Sequence, residues 1–317
     1  MSRKTVLVLG GGPDAEREVS LVSSKFVAEA LQRGGEFDVN YQIIDRANLQ
    51  QLRALAGDVV FPVLHGGWGE GGPLQDLLDQ DRRPYVGCRG QAARVAMDKM
   101  ATKLLAASLG IPTKRACVIN GRDHGCPIEL PVVVKPVHEG SSVGVHICRT
   151  SPEWLTAIAA ALRDMQEQPR RVYMVEQGVL GGSELTVGVF DGKALLPIQI
   201  KPAVEFYDYE AKYQRNDTQY LVDPPLPAGV KATIQRHAED LFRAMGCRHL
   251  SRIDFLLDRE GMPWLLEVNT LPGFTDHSLF PMAAKQAGMP MEKLCSQLLH
   301  LAIRDGTIRD SARDRVR

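Results

Sequence analysis

The sequence predicts an α/β fold that opens with a parallel sheet, and three observations lead to this prediction. Apolar runs of strand length alternate with helical patterns over the first sixty or so residues. Glycines follow two of these runs, Gly10–Gly12 after the first and Gly66-Gly67, beyond His65, after the third. The chain has 317 residues, of which 44% are hydrophobic and 24% charged. That balance excludes a disordered chain, and the length suggests two or three domains at roughly 150 residues each.

The first unit repeats a strand–helix–strand–helix–strand order. Its predicted strands are Thr5–Leu9, Val39–Ile44 and Asp58–Leu64, and its predicted helices are Ser20–Leu31 and Leu49–Leu55. Ligands of parallel sheets bind at the carboxyl ends of the strands. Gly10–Gly12 and His65–Gly67 both follow strands, so they are candidates for a ligand site.

Strand and helix patterns continue through the rest of the chain. A middle unit has helices over Ala92–Leu109 and Ser151–Met165, and strands over Arg115–Ile119, Pro131–Lys135, Val145–Cys148 and Arg171–Glu176. A last unit has strands over Leu185–Phe190, Leu195–Ile200, Ser251–Asp258 and Trp264–Val268, a helix over Ala228–Met245, and a helical C-terminal region.

The charge balance and the lengths of the apolar runs argue against a nucleic-acid-binding, membrane or secreted protein. Lys+Arg and Asp+Glu both number 38, so the basic excess typical of nucleic-acid-binding proteins is missing. No apolar run approaches the roughly 18 residues of a transmembrane helix. The first apolar run is too short for a signal peptide, and the six cysteines form no CxxC pair. We therefore expect a cytoplasmic protein with reduced thiols and with neither nucleic-acid nor membrane partners.

The most informative segment, Ser251–Asn269, predicts a β-hairpin that turns near Glu260-Gly261. A hairpin centred there pairs Asp254 with Glu267 and Arg252 with Asn269, all on one face because side chains alternate along a strand. The opposite face pairs apolar residues, Ile253 with Val268 and Phe255 with Leu266.

Two opposed carboxylates repel each other unless a cation lies between them. Carboxylate oxygens suit Mg²⁺, which binds one or two of them together with substrate phosphates. Arg252 cannot bind a metal, but its guanidinium can stabilise a developing anion. A solvated sheet face carrying a surface salt bridge is an equally good interpretation of these four residues alone.

Two glycine-rich segments are also candidates. Glu139–Gly144 follows Lys135 and could cradle phosphate with backbone N–H groups, although an ordinary strand connection explains it as well. Gly10–Gly12 precedes three acidic residues, Asp14, Glu16 and Glu18. Carboxylates there would repel a phosphate but could hold an ammonium group; the alternative is that they complement a helix dipole.

Taken together, six segments in order resemble the D-alanine–D-alanine ligase family of the ATP-grasp superfamily. They are Gly11–Ser20 (GGPDAEREVS), His65–Gln75 (HGGWGEGGPLQ), Ala96–Lys99 (AMDK), Val134–Pro136 (VKP) with Gly140–Gly144 (GSSVG), Phe206–Tyr213 (FYDYEAKY), and Glu267–Gly273 (EVNTLPG) with His277–Leu279 (HSL). The resemblance covers nearly the whole chain.

The resemblance implies an ATP-grasp architecture: an N-terminal parallel-sheet, Rossmann-like domain followed by two α+β domains that sandwich ATP. The expected divisions are 1–95, 96–184 and 185–317. The implied reaction joins two D-alanines at the expense of ATP through a D-alanyl phosphate, for peptidoglycan precursor synthesis. A homodimer is the expected assembly. The alternative is an ATP-grasp ligase whose second substrate is D-serine or D-lactate.

The resemblance also implies roles around ATP. Lys99 and Lys135 would contact the α and β phosphates together with Ser142 of the glycine-rich loop, and Lys212 would reach the γ-phosphate. Glu176, Gln177 and Val179 would lie along the adenine and Glu184 would hold the ribose, although Gly178 stands where many members have a large side chain. Two Mg²⁺ ions, replaceable by Mn²⁺, would bind Asp254, Glu267 and Asn269.

For the amino-acid substrates, the resemblance implies that Glu16 binds the ammonium group of the first D-alanine, with His65 beside it. Glu16, Ser141 and Tyr213 would form a hydrogen-bonded triad. Arg252 and the Gly273 backbone N–H would form the oxyanion hole, and Ser278 would hold the second D-alanine's carboxylate.

A loop over Tyr207–Gln219 would act as a lid that excludes water. Tyr213, which the D-lactate-using members replace, argues for D-alanine as the second substrate. Asp276, near that substrate, stands where a small residue is more usual.

Overall fold

The computed structural model describes residues 3–122, 125–141, 143–201 and 218–314, with side chains as far as residue 307. It contains one parallel sheet and two antiparallel sheets, surrounded by helices. Within this part of the chain, no helix is long and apolar enough to cross a membrane.

The first sheet confirms the parallel unit predicted at the start of the chain. Strands β1 (Thr5–Gly11), β2 (Asp38–Ile44) and β3 (Val59–Pro62) lie in the order β2-β1-β3, and both pairings are parallel. Helices α1 (Arg17–Gly34) and α2 (Leu49–Ala54) connect them. All four residues of β3 are buried, which accounts for its continuous apolar sequence.

Two corrections concern the region after β3. Helices α3 (Gly66–Gly69) and α4 (Pro73–Asp81) lie where no helix was predicted. The single helix predicted over Ala92–Leu109 is wrong, because it is two helices, α5 (Gly90–Met97) and α6 (Lys99–Ser108). Asp98 is extended between them and its carboxylate accepts the Ala101 N–H, so it caps the second helix.

The middle sheet is antiparallel, in the order β4-β7-β5-β6. Its strands are β4 (Ala116–Val118), β5 (Val132–Pro136), β6 (His146–Cys148) and β7 (Tyr173–Gln177), and helix α7 (Ser151–Glu167) packs against it. Lys135 and Glu176 lie on the neighbouring central strands β5 and β7. These residues therefore belong to the interior of the sheet rather than to its edge.

The largest sheet has the order β11-β10-β8-β12-β13, with β9 paired to β8. Its strands are β8 (Ser183–Phe190), β9 (Lys193–Ala194), β10 (Ile198–Lys201), β11 (Gln219–Val222), β12 (Leu250–Leu257) and β13 (Pro263–Asn269). Helices α8 (Val230–Met245), α9 (Leu279–Gln286) and α10 (Met291–Asp314) complete the chain. Strands β9 and β11 were not predicted.

The predicted hairpin register is confirmed where it matters for the site. Arg252 lies opposite Asn269, and Asp254 opposite Glu267. The predicted pair of Phe255 with Leu266 is wrong, since Phe255 lies opposite Leu265. A β-bulge between Asp254 and Phe255 absorbs this one-residue shift.

Apolar packing joins the first and last parts of the chain. One buried cluster combines Val6 and Val8 of β1 and Val27 of α1 with Phe280 of α9 and Leu298 of α10. The N-terminal sheet is thereby held against the helices that follow the hairpin. The three-part division at residues 95 and 184 stays a prediction.

Candidate active site

A cavity of about 790 Å³ lies between the N-terminal sheet and the β12–β13 hairpin. Ten of the predicted site residues line it: Glu16, His65, Lys99, Ser141, Glu184, Arg252, Glu267, Asn269, Gly273 and Ser278. The fold therefore brings into one cavity side chains that are up to 262 positions apart in the sequence. Five other predicted site residues are described by the structure but do not line this cavity: Lys135, Glu176, Gln177, Val179 and Asp254.

The hairpin presents its polar face as a connected network around Asp254, which is only 3% exposed. Arg252 donates to both Asp254 oxygens, from Nε at 3.0 Å to Oδ1 and from Nη2 at 2.8 Å to Oδ2. The Asn269 amide donates to Oδ2 at 3.0 Å, and the Thr186 hydroxyl donates to Oδ1 at 2.5 Å. The face is thus an organised and largely buried arrangement, which argues against a solvated surface salt bridge.

Glu267 is the more accessible carboxylate of the pair and faces Lys99. Its Oε2 lies 3.9 Å from the Lys99 ammonium, which also donates to the backbone oxygen of Glu139. Lys99 stands at the start of α6 because Asp98 ends the preceding helix. The cavity wall therefore combines one carboxylate and one cation with an amide, and both signs of charge are available to a ligand.

Asp254, Glu267 and Asn269 provide oxygen donors of the kind that Mg²⁺ prefers. The described residues contain no cluster of three or more His, Cys, Asp or Glu side chains that could hold an ion on protein ligands alone. Two carboxylates opposed in register across the hairpin nevertheless suit an ion whose other ligands come from a substrate. This donor set fits the predicted metal.

The glycine-rich loop Glu139–Gly144 contacts Glu16, which stands at the start of α1. The Ser141 hydroxyl donates to Glu16 Oε1, over 125 positions of sequence. A Cβ on Gly140 would lie 3.3 Å from Glu16 Oε2, so the glycine allows the loop to approach the carboxylate closely. Ser141 itself has a positive φ of 52°. Two members of the predicted triad are thus in contact.

His65 and Glu70 form a buried pair at the other side of the cavity. His65 Nδ1 lies 3.9 Å from Glu70 Oε1, which accepts the Gly66 N–H at 3.1 Å. Burial lowers the pKa of His65 to about 4. Burial, and then the nearby Glu16 carboxylate, raise the pKa of Glu70 to about 8. Both side chains are therefore neutral near pH 7.

The loop after β13 positions Ser278. Its Oγ accepts the Thr275 N–H at 2.9 Å and lies 2.9 Å from the Thr275 hydroxyl. A Cβ on Gly273 would come within 2.8 Å of this oxygen, so only glycine leaves room for it. The Phe274 N–H donates to Ser23 Oγ at 3.2 Å, which fastens the loop to α1.

In the middle sheet, Glu176 forms ion pairs with two lysines, Lys135 on the adjacent strand and Lys103 on α6. Burial alone would raise the pKa of Glu176, but Lys135 and then Lys103 lower it below its usual value. Burial lowers the pKa of Lys103. The carboxylate is therefore ionised between two cations.

The predicted adenine segment continues along the chain from Glu176 to Val179. Gln177 is half-buried, and its N–H donates to Arg115 O at 2.9 Å. The Gly178 N–H donates to Pro131 O at 2.9 Å, and a Cβ on Gly178 would lie 3.2 Å from that oxygen. This close approach explains why a glycine stands here. Val179 is half-buried, and Glu184 begins the cavity wall on β8.

Sequence reasoning missed three residues that the structure connects to the site, Glu70, Lys103 and Thr186. Glu70 and Lys103 were missed because nothing in a single sequence shows that they are buried. Thr186 bonds Asp254 from the neighbouring strand. Asp14, one of the three acidic residues noted after Gly10–Gly12, accepts the Trp68 N–H at 2.8 Å and so joins the Gly11–Ser20 segment to the His65–Gln75 segment.

Three predicted site residues, Ser142, Lys212 and Tyr213, lie outside the described residues, as does most of the predicted lid. Of the Tyr207–Gln219 segment, the structure describes Thr218 and Gln219, and Thr218 lines the cavity.

Comparison with known proteins agrees with this architecture. The family model described as D-ala D-ala ligase C-terminus matches residues 123–300. The D-alanine--D-alanine ligase of Glaesserella parasuis is 41% identical over 310 residues, covering 95% of this chain and 99% of that protein. The ligase of Dechloromonas aromatica is 42% identical over 305 residues, with 95% and 98% covered.

Solved structures give the same result. The D-alanine-D-alanine ligase from Coxiella burnetii superposes with a TM-score of 0.83 at 26% identity, covering 98% of this chain and 97% of that one. The Bacillus anthracis ligase complexed with ATP gives 0.80 at 27% identity, with 96% and 99% covered. Because the family model matches more than half of the chain, and relatives about 40% identical cover nearly all of it, this protein belongs to the D-alanine–D-alanine ligase family and has its ATP-grasp fold.

Proposed function

We propose that this chain is an ATP-dependent ligase that joins two D-alanines into D-alanyl-D-alanine, with ADP and phosphate as the other products. One observation carries the proposal: a single cavity wall holds Glu267, Asn269 and Arg252, and the same cavity holds Glu16 and Ser278. A polyphosphate site, a group that can hold an ammonium and a guanidinium for an oxyanion are what this reaction requires.

ATP is assigned to the side of the cavity where α6 meets the middle sheet. Lys99 and Lys135, with Ser142, contact the α and β phosphates, and Lys212 contacts the γ-phosphate. Glu176, Gln177 and Val179 lie along the adenine, and Glu184 holds the ribose. The support is the ATP complex of a related ligase and the position of Lys99 on the cavity wall.

Asp254, Glu267 and Asn269 would hold Mg²⁺ or Mn²⁺. When bound, the ions would neutralise the phosphate oxygens of ATP and so favour phosphoryl transfer. Both Asp254 oxygens already accept hydrogen bonds from Arg252, and Oδ2 also accepts from Asn269. In this proposal the Asn269 amide releases Asp254 Oδ2 when the metal ion binds, because the ion needs that oxygen.

Side chains and one backbone N–H of the cavity have a role in each of the two chemical steps, phosphorylation and ligation. Glu16 holds the ammonium of the first D-alanine. The carboxylate oxygen of this D-alanine attacks the γ-phosphorus of ATP, and ADP leaves. Ser278 holds the carboxylate of the second D-alanine, whose amine attacks the acyl carbon of the D-alanyl phosphate. Arg252 and the Gly273 N–H stabilise the oxyanion until phosphate departs and the peptide bond forms.

Water would hydrolyse the acyl phosphate, so the site needs a cover. The Tyr207–Gln219 segment serves as that lid in this proposal, and Tyr213 completes the triad with Glu16 and Ser141. We place the enzyme in the cytoplasm, as a homodimer that supplies peptidoglycan precursor synthesis.

Phosphate release from ATP tests the proposal. The purified protein is incubated with MgATP and with D-alanine alone, D-alanine plus D-serine, or D-alanine plus D-lactate, and the products are identified by mass spectrometry. We expect D-alanyl-D-alanine as the main product in every mixture. A main product containing D-serine or D-lactate would favour the alternative ligase, and no substrate-dependent phosphate release would refute ligation.

The same assay tests the oxyanion hole. Arg252→Ala should lower turnover by about 100-fold or more while ATP binding remains, because the Thr186 hydroxyl still holds Asp254. Arg243→Ala, which removes an exposed guanidinium from α8, is the matched control and should behave like the unmodified enzyme. Unchanged turnover in Arg252→Ala would remove Arg252 from the mechanism.

A further inference from the structure

A buried cluster of three charges joins helix α6 to the middle sheet. Lys103 pairs with one oxygen of the Glu176 carboxylate and Lys135 with the other. Each of the three residues is 5% exposed. Two ammonium groups on one carboxylate leave an excess of one positive charge in a space that water barely reaches. A buried excess of this sign favours an additional anion.

The two lysines differ in how many hydrogen bonds they still have to give. An ammonium has three N–H donors. Lys103 uses all three, on Glu176, on Thr113 Oγ1 at 2.5 Å and on the Lys114 backbone oxygen at 3.0 Å. Within the described residues, Glu176 is the hydrogen-bond partner of Lys135. Lys135 can therefore turn to an anion, whereas Lys103 is committed to the protein.

Helix α6 connects this cluster to the cavity. Lys99 and Lys103 are four residues apart, so they lie on the same side of the helix, one turn from each other. Lys99 lines the cavity, and Lys103 pairs with Glu176 of the middle sheet. Both residues are buried although they are helical lysines. The helix thus presents one cation to the ligand and the next to the sheet.

We propose that Lys103 is a positioning residue for ATP, which holds the Glu176 carboxylate in place and ionised so that Lys135 is released to the phosphates. The proposal rests on the function given above, in which Lys135 contacts phosphate and Glu176 lies along the adenine. Without Lys103, a phosphate could attract Lys135 only by leaving a buried carboxylate unpaired.

The charges around Glu176 explain why Lys103 is needed when Lys135 turns to the phosphates. Lys103 from α6 and Lys135 from β5 are the charged groups that face Glu176. With both present, Glu176 stays ionised whether Lys135 bonds it or the phosphates. With Lys103 removed, a carboxylate that loses Lys135 to ATP is buried without a cation and takes up a proton. ATP binding by such a variant is therefore coupled to proton uptake and weakens as pH rises.

Calorimetric titration with ATP tests this in four proteins: the unmodified enzyme, Lys103→Met, Glu176→Gln, and the double variant. We expect Lys103→Met to bind ATP about tenfold more weakly or worse at pH 8, with less loss at pH 6. Its binding heat should vary with the ionisation enthalpy of the buffer. Lys231→Met, which removes an ion-paired lysine from the surface of α8, is the matched control.

The double variant distinguishes a positioning role of Lys103 from a general structural role. It also provides a test if the Lys103→Met protein does not fold. Glu176→Gln removes the charge that Lys103 serves, so adding Lys103→Met to it should cause no further loss of ATP affinity. A further tenfold loss in the double variant, or an unchanged affinity in a folded Lys103→Met protein, would overturn the proposal.

An error in the proposed ATP site would give different results from an error in the role of Lys103. If the unmodified enzyme binds no ATP, or if Lys135→Met leaves ATP affinity unchanged, then the assigned nucleotide site is wrong. If the unmodified enzyme binds ATP and Lys135→Met weakens it, while Lys103→Met binds like the Lys231→Met control, then only the role of Lys103 is wrong.

Discussion

At the scale of single residues, burial decides the charge state of the cavity wall as much as residue type does. Glu70 is a carboxylic acid whose pKa is raised to about 8, and Asp254, at 3% exposure, is bonded by Arg252, Thr186 and Asn269. The two carboxyl groups have different neighbours. Glu70 faces the Glu16 carboxylate, which adds to the effect of burial, and the neutral imidazole of His65. Asp254 has a guanidinium against both oxygens.

The raised pKa of Glu70 predicts how stability depends on pH. An unfolded Glu titrates near 4.5, so between about 4.5 and 8 the folded protein keeps a proton that the unfolded chain loses, and stability falls as pH rises. His65, lowered from 6.5 to about 4, acts in the opposite direction below pH 6.5. Between 6.5 and 8 the Glu70 contribution is therefore the clearer of the two.

We expect Glu70→Gln to remove that contribution. The stability of the variant relative to the unmodified protein should increase from pH 6.5 to 8, by up to about 1.4 kcal/mol per pH unit. Urea unfolding at half-unit pH intervals measures the difference, and Glu260→Gln, at an exposed turn, is the matched control. A difference that stays constant with pH would show that Glu70 is ionised in the folded protein.

At the scale of elements, the hairpin shows what a single sequence can and cannot predict. The turn at Glu260-Gly261 and the alternation of polar and apolar residues suffice to place Asp254 opposite Glu267. The bulge could not be predicted, because Leu265 and Leu266 are chemically identical and either could pair with Phe255. Burial selects Leu265, which is 2% exposed.

Helix α6 shows the same limit. The apolar pattern runs on through Asp98, so it predicts one helix, although an aspartate that caps α6 ends α5 in the structure. The site residues of the middle sheet came from the family resemblance. A lysine on a helix, such as Lys103, is solvent-exposed by default. Its partner Glu176 lies 73 positions away, and only the folded chain brings the two together.

The loop after β13 gives a prediction at this scale. Gly273→Ala places a methyl group within 2.8 Å of Ser278 Oγ, which Thr275 holds by two contacts, so the hydroxyl must move. We expect the KM for D-alanine to rise about tenfold or more, with a smaller change in the KM for ATP, because a displacement of this size disturbs substrate positioning.

Steady-state kinetics with each substrate varied in turn measures the two constants. Gly34→Ala is the matched control, since its Cβ at the end of α1 would meet Glu292 at an ordinary 3.8 Å. Equal changes in both KM values would mean that the substitution disturbs the whole cavity rather than the Ser278 site.

At the scale of the whole molecule, the cavity depends on how the N-terminal sheet is held against the hairpin. His249, the residue before β12, makes one such connection. Its Nδ1 accepts the Gly87 N–H at 3.0 Å, and its Nε2 lies 3.2 Å from Asp305 of α10. The segment that leaves the first sheet, the strand that carries Arg252 and the last helix therefore meet at one imidazole.

The geometry fixes the imidazole as neutral, with Nδ1 as acceptor and Nε2 as donor. Burial lowers the pKa of His249, so this contribution to stability is present above the unfolded pKa of 6.5 and is lost as pH falls through the lower folded value. A protonated ring would turn an N–H toward the Gly87 N–H. Acidification should therefore loosen this junction.

Replacing His249 tests the junction. Its φ of 62° favours Asn among the side chains that could replace it, and Asn can still accept from Gly87 but is too short to reach Asp305. We expect His249→Asn to lower the free energy of unfolding by about 1 kcal/mol and His249→Ala by about 2–3 kcal/mol, because alanine leaves the buried Gly87 N–H unpaired. Both variants should lose less stability on acidification from pH 7 to 5 than the unmodified protein. Urea unfolding at the two pH values measures this. If His249→Ala keeps the pH dependence of the unmodified protein, then the imidazole does not titrate with unfolding and the junction at His249 is not the acid-sensitive contact.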